Sequence, residues 1–373
     1  MTKGFDVSKF RKSITKSISG ISTGFHDPST WVSTGNFCLN YLISGDFNNG
    51  IPLSKVTVFA GESGSGKSYI CSGNMVKNAQ DQGIFVVLMD SENALDEAWL
   101  KALNVSTEPE HLLRINVSMI DDVAKTISLF MADYKKEWDG VDREDAPKVL
   151  FVVDSLGMLL TPTDVNQFDK GDMKGDMGRK PKALTSLVRN SVNLIAPFDI
   201  GIVATNHTYA SQDMFSPDDK ISGGQGFIYA SSIVVAMKKK KLKDKDLEGG
   251  STSEVKGIKC SCKVVKSRYA KPFETVDIFI PYDVGMHPYS GLFELFEKTG
   301  LLKKVGNRYE YTSKVTGEVT LEFRKAWNAN TALLDMVMDE FNEDDLSVIG
   351  LTVGELMEDE EVDPEEEAEA LNG

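Results

Sequence analysis

Four apolar runs along the chain alternate with segments that have the spacing or the boundaries of helices. The runs occupy 56–60, 84–89, 149–153 and 201–204. The predicted helices between them span 68–82, 120–137 and 183–197. Runs this apolar lack the polar alternation of a half-exposed strand, which is typical of parallel strands covered on both faces by helices. The pattern therefore predicts an α/β fold around a mostly parallel sheet.

A glycine-rich segment directly follows the first run and matches the pattern G-x-x-x-x-G-K-[ST]. Its residues are Gly61, Glu62, Ser63, Gly64, Ser65, Gly66, Lys67 and Ser68. Backbone N–H groups of such a turn surround phosphate oxygens, the lysine reaches the β- and γ-phosphates, and the last hydroxyl binds Mg²⁺. A chance glycine turn is the alternative. The strand before the motif and the helix after it favour a site for ATP or another nucleoside triphosphate.

Carboxylates follow two of the other runs, at the strand ends where ligands of open α/β sheets bind. Glu92 and Asp96 follow the second run, and Asp154 ends the third. Glu92 is a candidate for orienting or deprotonating an attacking water, with a simple helix-start carboxylate as the alternative. Asp154 is a candidate Mg²⁺ ligand together with Ser68.

Two long stretches, 160–182 and 207–226, contain glycines and charges and no clear periodicity, so we expect irregular loops. Loops of this length are usually functional, and basic or aromatic side chains on them suit single-stranded nucleic acid. Tolerated surface insertions are the alternative. A lysine run at 238–243 and scattered basic residues of the first stretch either contact phosphates or form a solvated surface. The scattered residues are Lys170, Lys174, Arg179, Lys180 and Lys182.

The two ends of the chain differ in charge and pattern. Residues 7–18 have helical spacing with one apolar and one basic face, so this helix packs on its own core or on a neighbouring subunit. The formal net charge is −15, and residues 339–373 carry fifteen Asp and Glu and no Lys or Arg, so the remainder is neutral. We expect a disordered acidic tail that competes with DNA for the basic loops. Deleting 354–373 is then expected to tighten DNA binding at low salt.

Length and composition exclude several classes of protein. A chain of 373 residues with 41% hydrophobic residues is expected to form a large α/β domain with smaller appendages. No apolar run approaches a membrane span and the first residues lack a signal-peptide core, so we expect a cytosolic protein. The four cysteines fit neither zinc nor disulfide spacing. We expect reduced packing residues, with Cys260 and Cys262 on one face of a strand.

The order of the motifs resembles that of RecA-family recombinases over roughly residues 33–302. The matching segments are Ser33-Thr34-Gly35, the glycine-rich segment, Met89–Asp96, Val152–Leu156, Ser222-Gly223-Gly224, Tyr229-Ala230-Ser231, Val264–Arg268, Pro272-Phe273 and Tyr289–Leu292. Within the family, Ile202–Tyr209 and Met214-Phe215 are most similar to the phage UvsX-type recombinases. Several motifs in the right order are far more specific than any one of them alone.

The resemblance implies roles for particular residues. Glu92 would be the catalytic carboxylate and Asp96 would approach the adenine amino group. His207 stands where bacterial RecA has a glutamine that senses both nucleotide and DNA. Lys266 and Arg268 would reach across a subunit interface to the neighbour's triphosphate, as an arginine finger does. The two long loops would line the DNA path of a filament, and the N-terminal helix would dock on the adjacent subunit.

The resemblance also implies a division of the chain into four parts. A RecA-like ATPase core would occupy 33–287, after an oligomerisation helix and linker in 1–32. A small α+β domain made of a hairpin and a helix would occupy 288–346, and the acidic tail 347–373. No contact with a membrane is implied.

The function implied by the resemblance is ATP- and Mg²⁺-dependent DNA strand exchange. Helical homo-oligomers would form on single-stranded DNA and pair it with homologous duplex DNA in recombination, repair and recombination-dependent replication. A single-strand binding protein and a recombination mediator are implied partners, and a phage-encoded protein acting in the host cytoplasm is the implied setting. The alternatives are a ring-forming hexameric helicase and a non-catalytic paralogue that loads filaments.

Overall fold

The computed structural model describes residues 6–17, 27–171, 178–209, 219–244, 251–271 and 274–341. The chain forms two compact units, Met1–Gly291 and Leu292–Gly373. The four-part division expected from the sequence stays a prediction. No helix within the described ranges is long and apolar enough to cross a membrane.

Helices and strands alternate through the first unit, and a short antiparallel sheet with helices makes up the second. The helices are α1 (Val7–Ser17), α2 (Phe37–Ser44), α3 (Met75–Asp81), α4 (Glu97–Ala102), α5 (Ile120–Trp138), α6 (Pro162–Asp169), α7 (Arg179–Ile195), α8 (Gln225–Ala230), α9 (Leu292–Lys298), α10 (Arg324–Ala329) and α11 (Thr331–Asp339). The strands are β1 (Trp31–Val32), β2 (Ile51–Pro52), β3 (Val56–Gly61), β4 (Phe85–Asp90), β5 (Leu112–Asn116), β6 (Val149–Asp154), β7 (Ile200–Tyr209), β8 (Lys220–Ile221), β9 (Ile233–Lys243), β10 (Val255–Lys266), β11 (Thr275–Pro281), β12 (Lys303–Val305), β13 (Arg308–Thr312) and β14 (Val319–Glu322).

The first unit is built on a nine-stranded sheet with the order β11-β10-β9-β3-β7-β6-β4-β5, with β8 paired to β7. The pairs from β9 through β5 are parallel, whereas β10 runs antiparallel to both β9 and β11. The four apolar runs are β3, β4, β6 and β7. Because all four lie inside the sheet, the prediction of a mostly parallel α/β fold is confirmed.

Helices cover both faces of the central part of this sheet, which explains why β3, β4, β6 and most of β7 are apolar. Val87 and Met89 of β4 lie in one core cluster with residues of α5 and α7, including Ile127 and Leu187. Successive strand residues point to opposite faces, and Leu88 between them is also fully buried. Helix α3 contacts β4. A strand exposed to water on either face would need polar residues at alternate positions.

The expectation of an irregular stretch at 160–182 is wrong, because α6 forms there and α7 begins at Arg179. A capping box starts α6: the Asp164 carboxylate accepts the Thr161 N–H at 2.7 Å, and the Thr161 hydroxyl accepts the Asp164 N–H at 3.3 Å. Pro162 fits the first turn, where no N–H is needed. Proline is common in loops as well as at helix starts, so the residue alone does not distinguish the two. Lys174 lies outside the described residues.

The second long stretch, 207–226, is also more regular than expected at both of its ends. Strand β7 continues to Tyr209 and pairs antiparallel with β8, with Thr208 opposite Ile221. Helix α8 begins at Gln225. The described part of this stretch is therefore a paired stem, and Met214-Phe215 lies outside the described residues.

Other sequence predictions are confirmed by the first unit. Helices α1 and α5 occupy 7–17 and 120–138, close to the expected bounds. The lysine run belongs to β9, where Lys238 to Lys241 are exposed. All four cysteines are free and buried, and the sulfur atoms of Cys260 and Cys262 lie 3.6 Å apart on one face of β10.

The second unit has the expected antiparallel strands and helix, with a third strand and two further helices. Strand β13 pairs with β12 and with β14. Trp327 is fully buried and its indole N–H donates to the Tyr309 carbonyl oxygen at 3.1 Å. The rings of Phe293 and Tyr309 pack edge to face at 4.8 Å. The predicted tail, 347–373, lies outside the described residues.

Candidate active site

The glycine-rich segment leaves the carboxyl end of β3 and enters a π-helix, Tyr69–Asn74, that continues as α3. Gly64 and Gly66 have φ values of +72° and +93°, a backbone conformation that other residues adopt at a cost. At Gly61 a side chain would meet the Met237 carbonyl oxygen of β9 at 2.5 Å. The loop is therefore curled tightly against β9, as a turn that surrounds an anion requires.

Lys67 is 6% exposed and lies within the curve of this loop. Its ammonium donates to the carbonyl oxygens of Gly61 and Glu62, both at 2.9 Å. Burial lowers the pKa of Lys67, and the carboxylates of Asp154 and Glu92 partly oppose that shift. The Ser65 hydroxyl is buried without a hydrogen-bond partner. An unpartnered polar atom inside an anion-sized turn fits a site whose ligand supplies the partner.

The turn that carries Glu92 is held by the buried carboxylate of Asp90 at the end of β4. Asp90 accepts the N–H of Glu92 at 3.1 Å and that of Leu95 at 3.2 Å. Arg114 of β5 donates to the same carboxylate at 2.8 Å. Because Asp90 is fully buried and its bonds come from both the turn and a neighbouring strand, the position of Glu92 is fixed by the sheet.

Glu92, Ser155 and His207 form a hydrogen-bonded cluster across the ends of three strands. The Ser155 hydroxyl donates to Glu92 Oε1 at 2.8 Å. His207 Nε2 lies 3.1 Å from the same oxygen and 3.3 Å from the Ser155 hydroxyl. The Glu92 side chain keeps about a third of its surface exposed. A carboxylate held on one oxygen and open to solvent on its other side suits the positioning of a water molecule.

Asp154 ends β6 beneath the loop and is 3% exposed. Its carboxylate accepts hydrogen bonds from Ser72 Oγ at 2.8 Å and from Thr205 Oγ1. Within the described ranges, no group of three or more His, Cys, Asp or Glu side chains is placed to hold a metal ion. Mg²⁺ that is bound largely through phosphate oxygens needs only one or two protein oxygens. Ser68 and Asp154 therefore fit Mg²⁺ carried by a nucleotide.

His207 also links Glu92 to the base of the second long stretch. Its backbone carbonyl accepts the Ser222 N–H at 2.9 Å, and the Asn206 side chain donates to the Ser222 carbonyl at 2.6 Å. Gly157 approaches so closely that a side chain there would meet the His207 ring at 2.7 Å. The stem is therefore bonded directly to a residue that contacts Glu92.

Comparison with known proteins agrees with this geometry. The family model for the RecA N-terminal domain matches residues 17–287. The chain belongs to the RecA family. The recombination and repair protein of Enterobacteria phage T4 is 29% identical over 296 residues, which cover 78% of this chain and 70% of that protein. Protein RecA of Ehrlichia chaffeensis is 25% identical over 289 residues, 77% of this chain and 73% of that protein. Protein RecA of Aquifex aeolicus is 24% identical over 295 residues, 79% of each chain.

Membership of the RecA family makes this chain an ATP-dependent DNA strand-exchange recombinase of recombination and repair, and a DNA-dependent ATPase. The prediction from the ordered motifs is confirmed at this level. The roles of individual residues stay predictions.

The two cations that the RecA resemblance assigns to a neighbour's triphosphate lie far from the chain's own phosphate loop. Strand β10 runs antiparallel to β9, and Lys266 at the end of β10 pairs with Val234 of β9. Val234 in turn pairs with Val58 in the first half of β3. Burial lowers the pKa of Lys55, and the nearby charge of Arg268 lowers it further. Lys55 directly precedes β3. At ~3.3 Å per residue, this end of β3 lies about 20 Å from Gly61.

The remaining predicted site residues have local roles that the RecA motifs do not reveal. Asp96 caps α4, and its carboxylate accepts the Trp99 N–H at 2.7 Å. Lys180 is half-buried and donates to the Gly157 carbonyl at 2.6 Å, so this basic residue is not free for DNA. Arg179 donates to the Thr163 hydroxyl at 2.8 Å.

Sequence reasoning missed some residues that orient the site. Ser155 was read as part of a motif and given no role, although its place just after a strand-end aspartate was a usable signal. Asp90 falls within a matching motif, which gives no sign of its supporting role. Arg114 carries no local signal, and the lysine run that contains Lys239 does not single that residue out. Only the pairing of strands brings Arg114 to Asp90 and Lys239 to the phosphate loop.

Proposed function

We propose that ATP hydrolysis in this recombinase uses Glu92 to position and deprotonate the attacking water. The supporting observation is the cluster in which Ser155 and His207 both contact Glu92 Oε1, at 2.8 and 3.1 Å. Phosphoryl transfer needs exact placement and charge compensation more than covalent chemistry. The cluster supplies the placement, and Lys67 supplies charge at the β- and γ-phosphates.

Mg²⁺ would be held by Ser68 and Asp154 together with phosphate oxygens, and it would neutralise charge that develops on those oxygens. Ser72 and Thr205 orient the Asp154 carboxylate for this role. Asp96 would accept from the adenine amino group while it caps α4. The other residues of the loop, from Gly61 to Gly66, would bind phosphate through their backbone N–H groups.

Lys266 and Arg268 would act on the triphosphate of the neighbouring subunit in a helical filament. Their place toward the opposite end of the sheet from Gly61 supports this. Arg268 lies near Lys55, about 20 Å along β3 from Gly61. Lys266 is level with Val58, about 10 Å from Gly61 and with β9 in between, so neither side chain is long enough to reach the loop. Charge supplied by a neighbour makes hydrolysis depend on assembly. Helix α1, with exposed Val7 and Phe10, would dock on the adjacent subunit.

Single-stranded DNA would lie along the two stretches 160–182 and 207–226, and homologous duplex DNA would pair with it there. The stem at Ser222, bonded to His207, would connect DNA to the ATPase cluster. Base pairing would carry sequence recognition, so the protein would contact backbone and stack bases. A single-strand binding protein and a mediator would assist, in the cytoplasm of a phage host. The acidic tail would compete with DNA, and removal of 354–373 would tighten DNA binding at low salt.

The decisive experiment measures ATP hydrolysis with and without single-stranded DNA, with electron microscopy of the same mixtures. We expect strong stimulation by DNA together with open helical filaments. The Glu92→Gln variant should form the same filaments and lose turnover, since the amide cannot accept the proton. Closed rings would indicate a helicase, and filaments without turnover in the unmodified protein would indicate a loading paralogue. An unchanged hydrolysis rate in Glu92→Gln would reject the role of Glu92.

A further inference from the structure

Lys239 of β9 makes close contacts with the phosphate loop that no motif of the sequence indicated. Its ammonium donates to the Ser63 carbonyl oxygen. Its backbone N–H donates to Glu62 Oε1 at 3.2 Å, and the ammonium lies 3.7 Å from Glu62 Oε2. Two consecutive residues of the loop are thus attached to one residue of the neighbouring strand.

The contact with Ser63 has a consequence for the next peptide group. A trans peptide is planar, and its C=O and N–H point in opposite directions. When Lys239 holds the Ser63 carbonyl, it also fixes the direction of the Gly64 N–H. Gly64 has a φ of +72°, and without a side chain its peptide planes rotate easily. The Lys239 ammonium lies beside Gly64, only 3.6 Å from where a side chain would begin.

We propose that Lys239 is a positioning residue for the triphosphate, and that Glu62 keeps it in place. Lys239 holds the Ser63–Gly64 peptide so that the Gly64 N–H faces the bound phosphates. The proposal rests on the phosphate-binding role of the loop and adds a residue from outside the motif. Because the side chains of Lys239 and Glu62 are each nearly half exposed, the ion pair itself contributes little. The orientation of the peptide group carries the effect.

The chain offers a matched control on the same strand. Side chains alternate along β9, so Lys241 points to the same face as Lys239. Lys241 stands opposite Ile258 of β10, two residues further from the loop. It is exposed and carries the same charge. The Lys241→Gln variant therefore changes the net charge of this strand by the same amount and leaves the loop contacts intact.

The test measures the Kd for Mg-ADP by calorimetry and the KM and kcat for ATP on single-stranded DNA. The amide of Lys239→Gln is uncharged and lies one bond nearer the backbone than the ammonium. For this variant we expect about a three- to tenfold weaker Kd, the range of one ordinary hydrogen bond, and a similar rise in KM. The kcat should stay within about twofold, because the peptide binds ground state and transition state alike. Lys239→Arg should restore binding, since the guanidinium also donates. Lys241→Gln should bind as the unmodified protein does.

Each outcome decides between distinct explanations. An unchanged Kd in Lys239→Gln, or an equal loss in Lys241→Gln, would overturn the role of Lys239. A fall in Tm together with a fall in kcat would indicate a structural role and would also count against the proposal. Failure of the unmodified protein to bind Mg-ADP would instead reject the nucleotide site itself.

Discussion

The two ends of the central sheet carry different charged groups. At the carboxyl ends of the parallel strands, the carboxylates Asp90 and Asp154 are buried and accept hydrogen bonds from neighbouring side chains. Toward the other end lie the cations Lys55, Lys266 and Arg268, where burial lowers the pKa of both lysines and the Arg268 charge lowers it further. The proposed nucleotide site lies at the first end, and the cations proposed to act on a neighbouring subunit lie toward the second.

This difference fits the proposal that one nucleotide site is completed by two subunits. The antiparallel direction of β10 places Lys266 toward the opposite end of the sheet from Gly61, the start of the loop. A parallel strand at that position would end near the chain's own phosphate loop. Under the proposal, the reversal of one strand keeps the cations away from the chain's own phosphates and leaves them for a neighbouring subunit.

Mixing two inactive variants gives the largest expected effect and tests the separation directly. Glu92→Gln lacks the proposed base and keeps its cations, and Arg268→Ala lacks a cation and keeps its base. Each alone should lose about 10²-fold or more of its DNA-stimulated turnover. An equal mixture should recover about a quarter of the normal rate, since one interface in four then joins an intact base to intact cations.

The control for this mixture is a double variant that carries both substitutions on one chain. When it is mixed with either single variant, no interface gains a complete set, so the rate should stay low. Turnover by Arg268→Ala alone at the normal rate, or a mixture that stays inactive although both variants share filaments, would contradict the division of the site between chains.

Removal of the Ser155 hydroxyl affects only the loop end of the sheet. In Ser155→Ala, Glu92 loses a hydrogen bond of 2.8 Å and keeps its contact with His207. We expect kcat to fall about tenfold, the effect of one hydrogen bond to a charged group, with little change in the Kd for Mg-ADP. Single-turnover hydrolysis on DNA and nucleotide calorimetry separate the two quantities. A weaker Kd with an unchanged kcat would instead place Ser155 in nucleotide binding.

The pH dependence of nucleotide binding tests the role of Lys67, which lies at the same end of the sheet. Burial lowers the pKa of Lys67 below its ordinary value of 10.5, and a bound triphosphate favours the ammonium form. Above the pKa of the free protein, binding must therefore take up a proton, and affinity should fall as the pH rises, by several-fold per pH unit at most. Calorimetry of Mg-ADP binding from pH 8 to about 10, in buffers of different ionisation enthalpy, measures both the affinity and the number of protons taken up on binding. An affinity that rises with pH, or proton release on binding, would contradict the role of Lys67.

The smallest effect is expected from the helix cap at Thr161, within the stretch 160–182. Thr161→Ala removes the hydroxyl that accepts the Asp164 N–H at the start of α6. We expect the free energy of unfolding to fall by about 1 kcal/mol, with nucleotide binding unchanged. Denaturant titration measures it, with Thr161→Ser as the variant that keeps the cap. Equal losses in both variants would show that the methyl group matters more than the cap.

Sequence patterns predicted the sheet well because burial on both faces leaves a strong local signal. The four apolar runs became β3, β4, β6 and β7 within about a residue at most boundaries. The stretch 160–182 is predicted as a loop because it contains glycines and charges and no clear periodicity, although Thr161 and Asp164 form a capping box around Pro162. A capping box is a local pattern, so it can be recognised in the sequence itself.

The candidate site was predictable only in part, because its supporting contacts are not local. Glu92, Asp154 and Lys67 stand at strand ends or in a motif, where general rules apply. The bond from Arg114 to Asp90 depends on the pairing of β4 with β5. Lys239 reaches the loop only because β9 pairs with β3. No pattern within a single segment contains such information.

The reversed direction of β10 has a consequence for growth and shrinkage of the assembly. If cations from one subunit complete the anion site of the next, each contact joins two different surfaces, and the chain of subunits has a direction and two unlike ends. The last subunit at one end holds nucleotide without a partner's cations, so it hydrolyses slowly. The last subunit at the other end has cations that face solvent. Subunits should therefore dissociate at different rates from the two ends, with no separate device needed to create that asymmetry.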